Sequence, residues 1–263
     1  MIIDSHLHLT KEESEENFDN AKKRLLANFA ENKISSAFVI ADNLICTNCA
    51  DTETLIKIFE KDQNIFIIGS PNVLNPRENE VKYFDDLLKN KTIIGLKLFP
   101  GHDPFYPTDP RCDAIYSLCL KYDVPVVIHT GINSGDFECA EYNDPKYIAE
   151  IANKYPDLKI VIAHYFWPKM QYCYGITKPY KNIYFDTSVM ADDEVIELSG
   201  GIEKVVDILE KTIIDKPNNL LFGTDYPMCD TKKHIDLINN LKISHELKAM
   251  IFNVNAKKIF NIR

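Results

Sequence analysis

Eight short apolar or β-branched segments recur along the 263-residue chain. Their C-terminal ends are spaced about 31 residues apart, the length of one strand–helix unit, and amphipathic helical patterns fill most of the intervals. The segments are Ile2–Asp4, Ala37–Ala41, Ile65–Ser70, Ile93–Leu98, Val124–His129, Lys159–His164, Ile183–Thr187 and Leu220–Asp225. Eight such units predict a single-domain (β/α)8 barrel, the TIM barrel fold, over residues 1–263.

The helical patterns have apolar residues on one face and charged residues on the other. Predicted helices cover Ser14–Asn32, Asp51–Lys61, Arg77–Lys89, a segment that starts at Asp109 and Pro110, Pro145–Lys154 and Asp192–Lys211. Residues 165–181 are aromatic and interrupted by proline, and they are predicted as a loop with a short helix.

An open, doubly wound sheet is the alternative fold for alternating strands and helices. Its dinucleotide-binding form has a Gly-x-Gly-x-x-Gly turn after the first strand. Here the first strand is followed by Ser5-His6-Leu7-His8, and the whole chain contains nine glycines. We therefore expect the barrel.

Charge and composition exclude several classes of partner. The formal net charge is −9, and an acidic protein offers no attraction to nucleic acid or to an anionic membrane. No apolar segment reaches the ~18 residues that cross a bilayer, and no secretory leader pattern opens the chain. We expect a cytoplasmic protein with seven reduced cysteines and a small-molecule substrate. A homodimer is an assembly that the sequence leaves open.

Polar residues stand where most of the predicted strands end. His6 and His8 are two residues apart, so in a strand their imidazoles project to the same side. Five further polar residues end strands four to eight: Lys97, His129, His164, Asp186 and Asp225. Chemistry in such barrels collects at the C-terminal ends of the strands. Histidines and an aspartate that converge there would repel one another or stay unpaired without a cation, so the pattern predicts a divalent-metal centre.

These segments resemble the amidohydrolase superfamily, in particular its amidohydrolase-2 branch of metal-dependent hydrolases and decarboxylases. The resemblance covers nearly the full length in the same order. It rests on Ile3-Asp4-Ser5-His6-Leu7-His8, Gly95-Leu96-Lys97-Leu98-Phe99-Pro100, Val124–Gly131, Ile162-Ala163-His164, Leu221–Pro227 and the closing segment Asn255–Phe260.

The resemblance implies a ligand set and a general base. His6, His8, His129 and Asp225 would bind one divalent cation, with zinc as the expected ion and a second ion left open. His164 would bind that second metal or polarise the substrate. Asp225 would also accept a proton from a water held by the metal, because zinc lowers the pKa of bound water to about 7.

Lys97 ends the fourth strand, where some branches of the superfamily carry a carbamylated lysine that bridges two metals. An unmodified ammonium at that position would be repelled by a cation. Three interpretations stay open: carbamylation, contact with a substrate carboxylate, and a purely structural role. We favour the substrate contact, since a buried ammonium is costly without a partner.

Loops at the same rim supply the predicted substrate walls. Tyr165 and Trp167 follow His164 directly, and they form either a flat apolar wall or an anchor for the loop on the barrel. Residues 99–106 and 130–143 are expected to form the other sides.

The remaining polar residues of interest lie at or away from that rim. Asp186 is predicted to bond a ligating histidine, a substrate hydroxyl or a helix N-terminus. His102 is placed to reach the mouth of the barrel, whereas His234 and His245 are expected on solvated helix faces.

Hydrolysis of a C–N or C–O bond in a small, anionic substrate, such as an amide or lactone, is the preferred reaction. Asp225 would move the proton and His164 would stabilise developing negative charge. Non-oxidative decarboxylation of an aromatic or unsaturated acid is the alternative reaction. A non-catalytic metal-binding barrel is the alternative from a different class, and the presence of Asp225 argues against it.

Overall fold

The computed structural model describes residues 1–43, 48–132 and 136–262. Its eight strands form one sheet in sequence order, and all neighbouring pairs are parallel. The strands are β1 (Ile2–Leu7), β2 (Ile34–Ile40), β3 (Ile65–Gly69), β4 (Gly95–Leu98), β5 (Val126–Ile128), β6 (Ile160–Ile162), β7 (Ile183–Asp186) and β8 (Leu220–Leu221).

The sheet closes between β8 and β1. The amide of Ser5 donates to the carbonyl of Phe222 at 2.9 Å, and the amide of His8 donates to the carbonyl of Tyr226 at 2.8 Å. The predicted single (β/α)8 barrel is thus confirmed, with every predicted strand present.

Helices alternate with the strands around the outside. They are α1 (Asp19–Asn32), α2 (Thr52–Phe59), α3 (Glu80–Lys89), α4 (Asp113–Tyr122), α5 (Cys139–Tyr142), α6 (Pro145–Lys154), α7 (Met170–Thr177), α8 (Asp193–Leu198), α9 (Ile202–Asp215), α10 (Thr231–Asn240), α11 (His245–Ala249) and α12 (Asn255–Ile259), with 3-10 turns at Pro110–Cys112 and Ala163–Phe166 and a π-helical segment at Met250–Val254. None of the helices in the described ranges is long and apolar enough to cross a bilayer.

One predicted helix is two helices in the structure. The segment Asp192–Lys211 divides into α8 and α9 because Gly200 and Gly201 have φ angles of 87° and 107°, a left-handed conformation that ends a helix. The helix expected from Ser14 begins only at Asp19.

Side chains of the strands alternate between two cores. Leu96 and Leu98 of β4 pack in the large core between sheet and helices, so the intervening Lys97 points into the barrel. The barrel interior is filled by a second core that includes Ile3, Phe38, Val127 and Val161.

The C-terminal helix α12 covers the N-terminal end of the barrel. The side-chain amide of Asn255 donates to the carbonyls of Pro217 and Leu220 at 2.9 and 2.8 Å, and the ring of Phe260 lies 4.6 Å from that of Phe38. The opposite end, where the strands terminate, is left for the polar side chains.

Two sequence-based expectations reach beyond the described residues. Cys46, one of the seven cysteines expected to be reduced, lies outside them, as do residues 133–135 of the predicted rim loop 130–143.

Candidate metal centre

The C-terminal end of the barrel brings the strand-end histidines together. Ring centroids are 5.5 Å apart for His6 and His8, 4.7 Å for His6 and His164, and 4.9 Å for His129 and His164. All but His8 are nearly inaccessible to solvent. The cluster is therefore a compact, mostly buried polar site at the floor of the barrel mouth.

His6, His8 and Asp225 form a group whose ligand atoms lie within 4.8 Å of one another. Oδ1 of Asp225 is 3.5 Å from Nε2 of His6 and 3.6 Å from Nε2 of His8. Nε2 of His6 is buried and has no hydrogen-bond partner among the residues that the structure describes. Two imidazole nitrogens and a carboxylate oxygen are the donors of a catalytic zinc-type site, so this group fits a divalent cation.

The backbone after β8 is shaped to reach β1. A Cβ atom on Gly223 would lie 2.8 Å from Cβ of His6, so only glycine permits this approach. Asp225 has a φ of 67°, a left-handed conformation that aspartate tolerates better than most residues.

Asp4 joins β1 to that same turn. Its carboxylate accepts hydrogen bonds from the hydroxyl of Thr224 at 2.6 Å, from the amide of Thr224 at 3.1 Å and from the amide of His6 at 3.2 Å. Burial raises the pKa of Asp4 to about 7, against the effect of these hydrogen bonds. Through these hydrogen bonds, the carboxyl group of Asp4 holds Thr224, the neighbour of Asp225, against β1 next to His6.

A second group combines His6, His164 and Asp186, but it is bonded internally. Nδ1 of His6 lies 2.7 Å from Oδ2 of Asp186, and Nδ1 of His164 lies 2.9 Å from the hydroxyl of Ser188, which donates to Asp186. Burial opposes ionisation of Asp186, but the interactions of its carboxylate with His6 outweigh burial and hold the pKa of Asp186 below its ordinary value. Of the three partners that the sequence allowed for Asp186, the structure shows the histidine.

His129 belongs to neither group. Its Nε2 is 3.8 Å from Sγ of Cys139 in α5, and its ring centroid is 4.3 Å from that of His102. Burial lowers the pKa of His129 well below the ordinary value for histidine. Nε2 of His129 therefore faces Cys139 of α5, and its role as a ligand beside His6, His8 and Asp225 stays a prediction.

Lys97 lies fully buried among these residues. Its Nζ has no hydrogen-bond partner in the described part of the chain, and it lies 5.0 Å from the ring centroid of Phe99. Burial lowers the pKa of Lys97 from 10.5 to about 8, although Asp186, Asp225 and Asp42 act in the opposite direction. Among the described residues, the amine is therefore a buried group without a hydrogen-bond partner.

Asp42 and His102 complete the mouth on the side of β2 and β4. Oδ2 of Asp42 is 3.5 Å from Nδ1 of His8, and burial raises the pKa of the Asp42 carboxyl. Burial also disfavours the charged form of His8 and lowers its pKa to about 3. His102 reaches the mouth as expected, since its ring lies against those of His129 and Phe99.

The model of the amidohydrolase family known as Amidohydro_2 matches residues 3–262. The chain belongs to this family. The family expected from the sequence motifs is thus confirmed. No curated protein matches this chain at a significant level.

Solved structures share the fold of this chain at low sequence identity. An uncharacterised TIM-barrel protein from Bordetella bronchiseptica is 19% identical, with a TM-score of 0.79 over 99% of this chain and 98% of that one. A probable 2-pyrone-4,6-dicarboxylic acid hydrolase from Acinetobacter baumannii, solved with citric acid, is 13% identical (TM-score 0.69, 99% of each chain). A dihydroxybenzoic acid decarboxylase from Polaromonas, solved with manganese and 2-nitroresorcinol, is 16% identical (TM-score 0.70, 99% and 96%).

Of the two interpretations left open for Tyr165 and Trp167, a substrate wall or a loop anchor, the contacts of both rings are those of a loop anchor. Tyr165 is fully buried, its ring stacks 4.3 Å from that of Phe185, and its hydroxyl bonds Thr212 of α9. Trp167 is buried against Gly131, where a Cβ atom would lie 3.1 Å from Cδ1 of the indole. The wall interpretation of Tyr165 is wrong because its ring packs outward, between the sheet and α9.

The two helix histidines differ from each other. His245 is exposed at the start of α11, as expected. His234 is buried, and its Nε2 accepts from the amide of Ala191 at 3.3 Å while Nδ1 lies 2.8 Å from the carbonyl of Asp230. The prediction of a solvated His234 is therefore wrong, since the ring joins α10 to the β7 loop.

Asp4, Asp42 and Ser188 were not among the predicted site residues. Asp42 and Ser188 each lie two residues beyond the end of a strand, β2 and β7 respectively, so the rule that chemistry collects at strand ends could have found both. Asp4 precedes the histidines on β1, and only its contact with Thr224 across the barrel closure reveals its role.

Proposed function

We propose that the protein is a divalent-metal-dependent hydrolase that cleaves a C–N or C–O bond, such as an amide or lactone, in a small carboxylic acid. The observation that carries this proposal is Nε2 of His6, which has no hydrogen-bond partner among the described residues and faces the Asp225 oxygen that is also near His8. A buried acceptor without a partner costs about 1–3 kcal/mol. A cation held by these three residues would remove that cost.

Zinc is the ion we expect, because two imidazoles and one carboxylate make a common three-residue catalytic zinc set with an open position. Manganese is the other candidate, since the Polaromonas decarboxylase was solved with it. When bound, such an ion supplies Lewis acidity and lowers the pKa of water at the open position.

Asp225 is the proposed proton acceptor. Its side chain is 14% exposed, whereas that of His6 is inaccessible. The carboxylate can therefore reach a water or substrate at the mouth while one oxygen faces the two imidazoles. General-base assistance of this kind contributes about 10²–10⁴-fold to a rate.

Lys97 is proposed to hold the carboxylate of the substrate. Its Nζ is buried without a partner in the described ranges, and an anion at the mouth would supply one. Carboxylic acids are also what the Acinetobacter and Polaromonas proteins are named for. An anionic substrate offsets the cost of placing an ammonium near a cation.

Decarboxylation of an aromatic or unsaturated acid is the second candidate, favoured by the Polaromonas protein, which is a decarboxylase. Both reactions use a carboxylate near Lys97. They differ in product, because hydrolysis opens a lactone or amide and decarboxylation releases carbon dioxide.

The test is metal reconstitution followed by product analysis. Metal-free protein would be loaded with Zn²⁺ or Mn²⁺ and incubated with pyrone dicarboxylates, simple amides and dihydroxybenzoic acids. We expect ring opening or amide cleavage that depends on metal, and loss of both bound metal and turnover in His6→Ala. The matched control is His245→Ala, which removes an exposed histidine.

The outcomes distinguish the two candidate reactions and test the metal centre. Carbon dioxide release without hydrolysis would replace the first candidate by the second. Full metal occupancy in His6→Ala, or turnover that survives removal of every divalent ion, would refute the proposed metal centre.

A further inference from the structure

The carboxylate of Asp186 is surrounded by four hydrogen-bond donors. Oδ1 accepts from the amide of His164 at 3.0 Å, from the amide of Ser188 at 3.2 Å and from the hydroxyl of Ser188. Oδ2 faces Nδ1 of His6 at 2.7 Å. Two of these donors are backbone amides, which cannot reverse their role, and a carboxylate with several donors is stabilised in its ionised, acceptor-only form.

The hydroxyl of Ser188 carries one proton. Since that proton is given to Asp186, the serine oxygen can act only as an acceptor toward its other neighbours. Those neighbours are Nδ1 of His164 at 2.9 Å and Nδ1 of His6 at 3.3 Å. Both imidazoles must therefore donate from Nδ1.

We propose that Ser188 and Asp186 together hold His6 and His164 in the Nδ1–H tautomer, so that the lone pair of each neutral ring is on Nε2. Asp186 acts on His6 directly and on His164 through the serine hydroxyl. Ser188 is thus a positioning residue for His164. The inference rests on the proposed function only for the use of the two lone pairs as metal ligands or proton acceptors.

This arrangement restricts what His164 can do. A neutral imidazole with its proton on Nδ1 has no Nε2–H to offer an oxygen of the substrate. His164 can therefore ligate a metal or take up a proton in its neutral form, and it can stabilise negative charge only after it has been protonated. The hydrogen-bonded pair of Asp186 and Ser188 has little access to water, since the two residues are 1% and 0% exposed.

Nitrogen-15 NMR of histidine-labelled, metal-free protein at pH 8 tests the inference without any assay of turnover. We expect the Nε2 resonances of His6 and His164 at the position of an unprotonated nitrogen and their Nδ1 resonances at that of a protonated one. Ser188→Ala should shift His164 toward a mixture of tautomers and leave His6 unchanged. Asp186→Asn should disturb both rings.

The matched control is Ser5→Ala, which removes another buried hydroxyl at the same end of the barrel. That hydroxyl donates to the carbonyl of Phe222, so neither imidazole should respond. An Nε2–H signal from His6 or His164 in the unmodified protein, or an unchanged His164 in Ser188→Ala, would overturn the inference. If NMR shows the expected tautomers but the protein binds no metal, the proposed function is refuted and this inference stands.

Discussion

Replacing Lys97 by methionine should stabilise the metal-free protein. Lys97 is fully buried, and its Nζ has no hydrogen-bond partner among the described residues. Burial lowers its pKa from 10.5 to about 8, and a fall of that size corresponds to about 3 kcal/mol in the free energy of the charged form. Methionine has a similar length and no charge, so it avoids this cost without leaving a cavity.

The gain depends on pH in a defined direction. Below pH 8 the lysine is charged in both folded and unfolded chains, so the folded protein bears the full cost. Between pH 8 and pH 10.5 the folded protein releases the proton while the unfolded chain retains it, so the wild type becomes more stable relative to the variant. Lys97→Met should therefore gain up to about 3 kcal/mol at pH 7 and little at pH 10.5.

Urea unfolding of both proteins in chelator, at pH 7 and pH 10.5, measures this difference. The exposed Lys57→Met is the control, and it should change the free energy of unfolding by less than about 0.5 kcal/mol. A Lys97→Met variant that is no more stable than the wild type at pH 7 would refute the argument from burial.

The same variant distinguishes the roles of Lys97. If Lys97 holds the substrate carboxylate, Lys97→Met raises KM for an acidic substrate and keeps the metal. Loss of metal in Lys97→Met, together with an added carbon dioxide in the mass of the wild type, would establish the carbamylated two-metal interpretation. If neither KM nor metal content changes, Lys97 is structural and the acidic-substrate proposal fails.

Two further substitutions separate chemistry from packing. Asp225→Asn should lower kcat by about 10²–10⁴-fold because an amide cannot accept the proton, and the loss of bound metal should be much smaller. Steady-state kinetics and metal analysis measure the two effects. An unchanged kcat would show that Asp225 is not the general base. Tyr165→Phe should lower the free energy of unfolding by about 1 kcal/mol through loss of the bond to Thr212 and leave KM unchanged, whereas a raised KM would return Tyr165 to the substrate wall.

The barrel could be predicted because its strands are short, apolar and bounded by polar residues. Strand limits were less predictable where a strand leaves the sheet early. The predicted last strand, Leu220–Asp225, pairs with β7 only over Leu220 and Leu221. Beyond Phe222 the chain turns toward β1, where Thr224 bonds Asp4, and that contact joins residues at opposite ends of the sequence.

The residues of the candidate centre could be predicted because their chemical types are unusual at strand ends. Their partners could not, since Ser188 reaches His164 and Asp4 reaches Thr224 only after the barrel has closed. The direction of Tyr165 was equally hidden. His164 and Tyr165 have φ angles of 59° and 51°, and this left-handed turn sends the tyrosine ring outward although its neighbour His164 points inward.

The two ring nitrogens of His6 differ in their hydrogen bonding. Its Nδ1 is bonded to Asp186, within a network whose polar atoms have partners, whereas its Nε2 has none in the described ranges. Lys97 Nζ is unpaired in the same sense. A lone pair and an ammonium buried at one barrel mouth have opposite requirements, because the first is satisfied by a cation and the second by an anion. A cation at His6 and a carboxylate at Lys97 would meet both requirements, and each would reduce the electrostatic cost of the other.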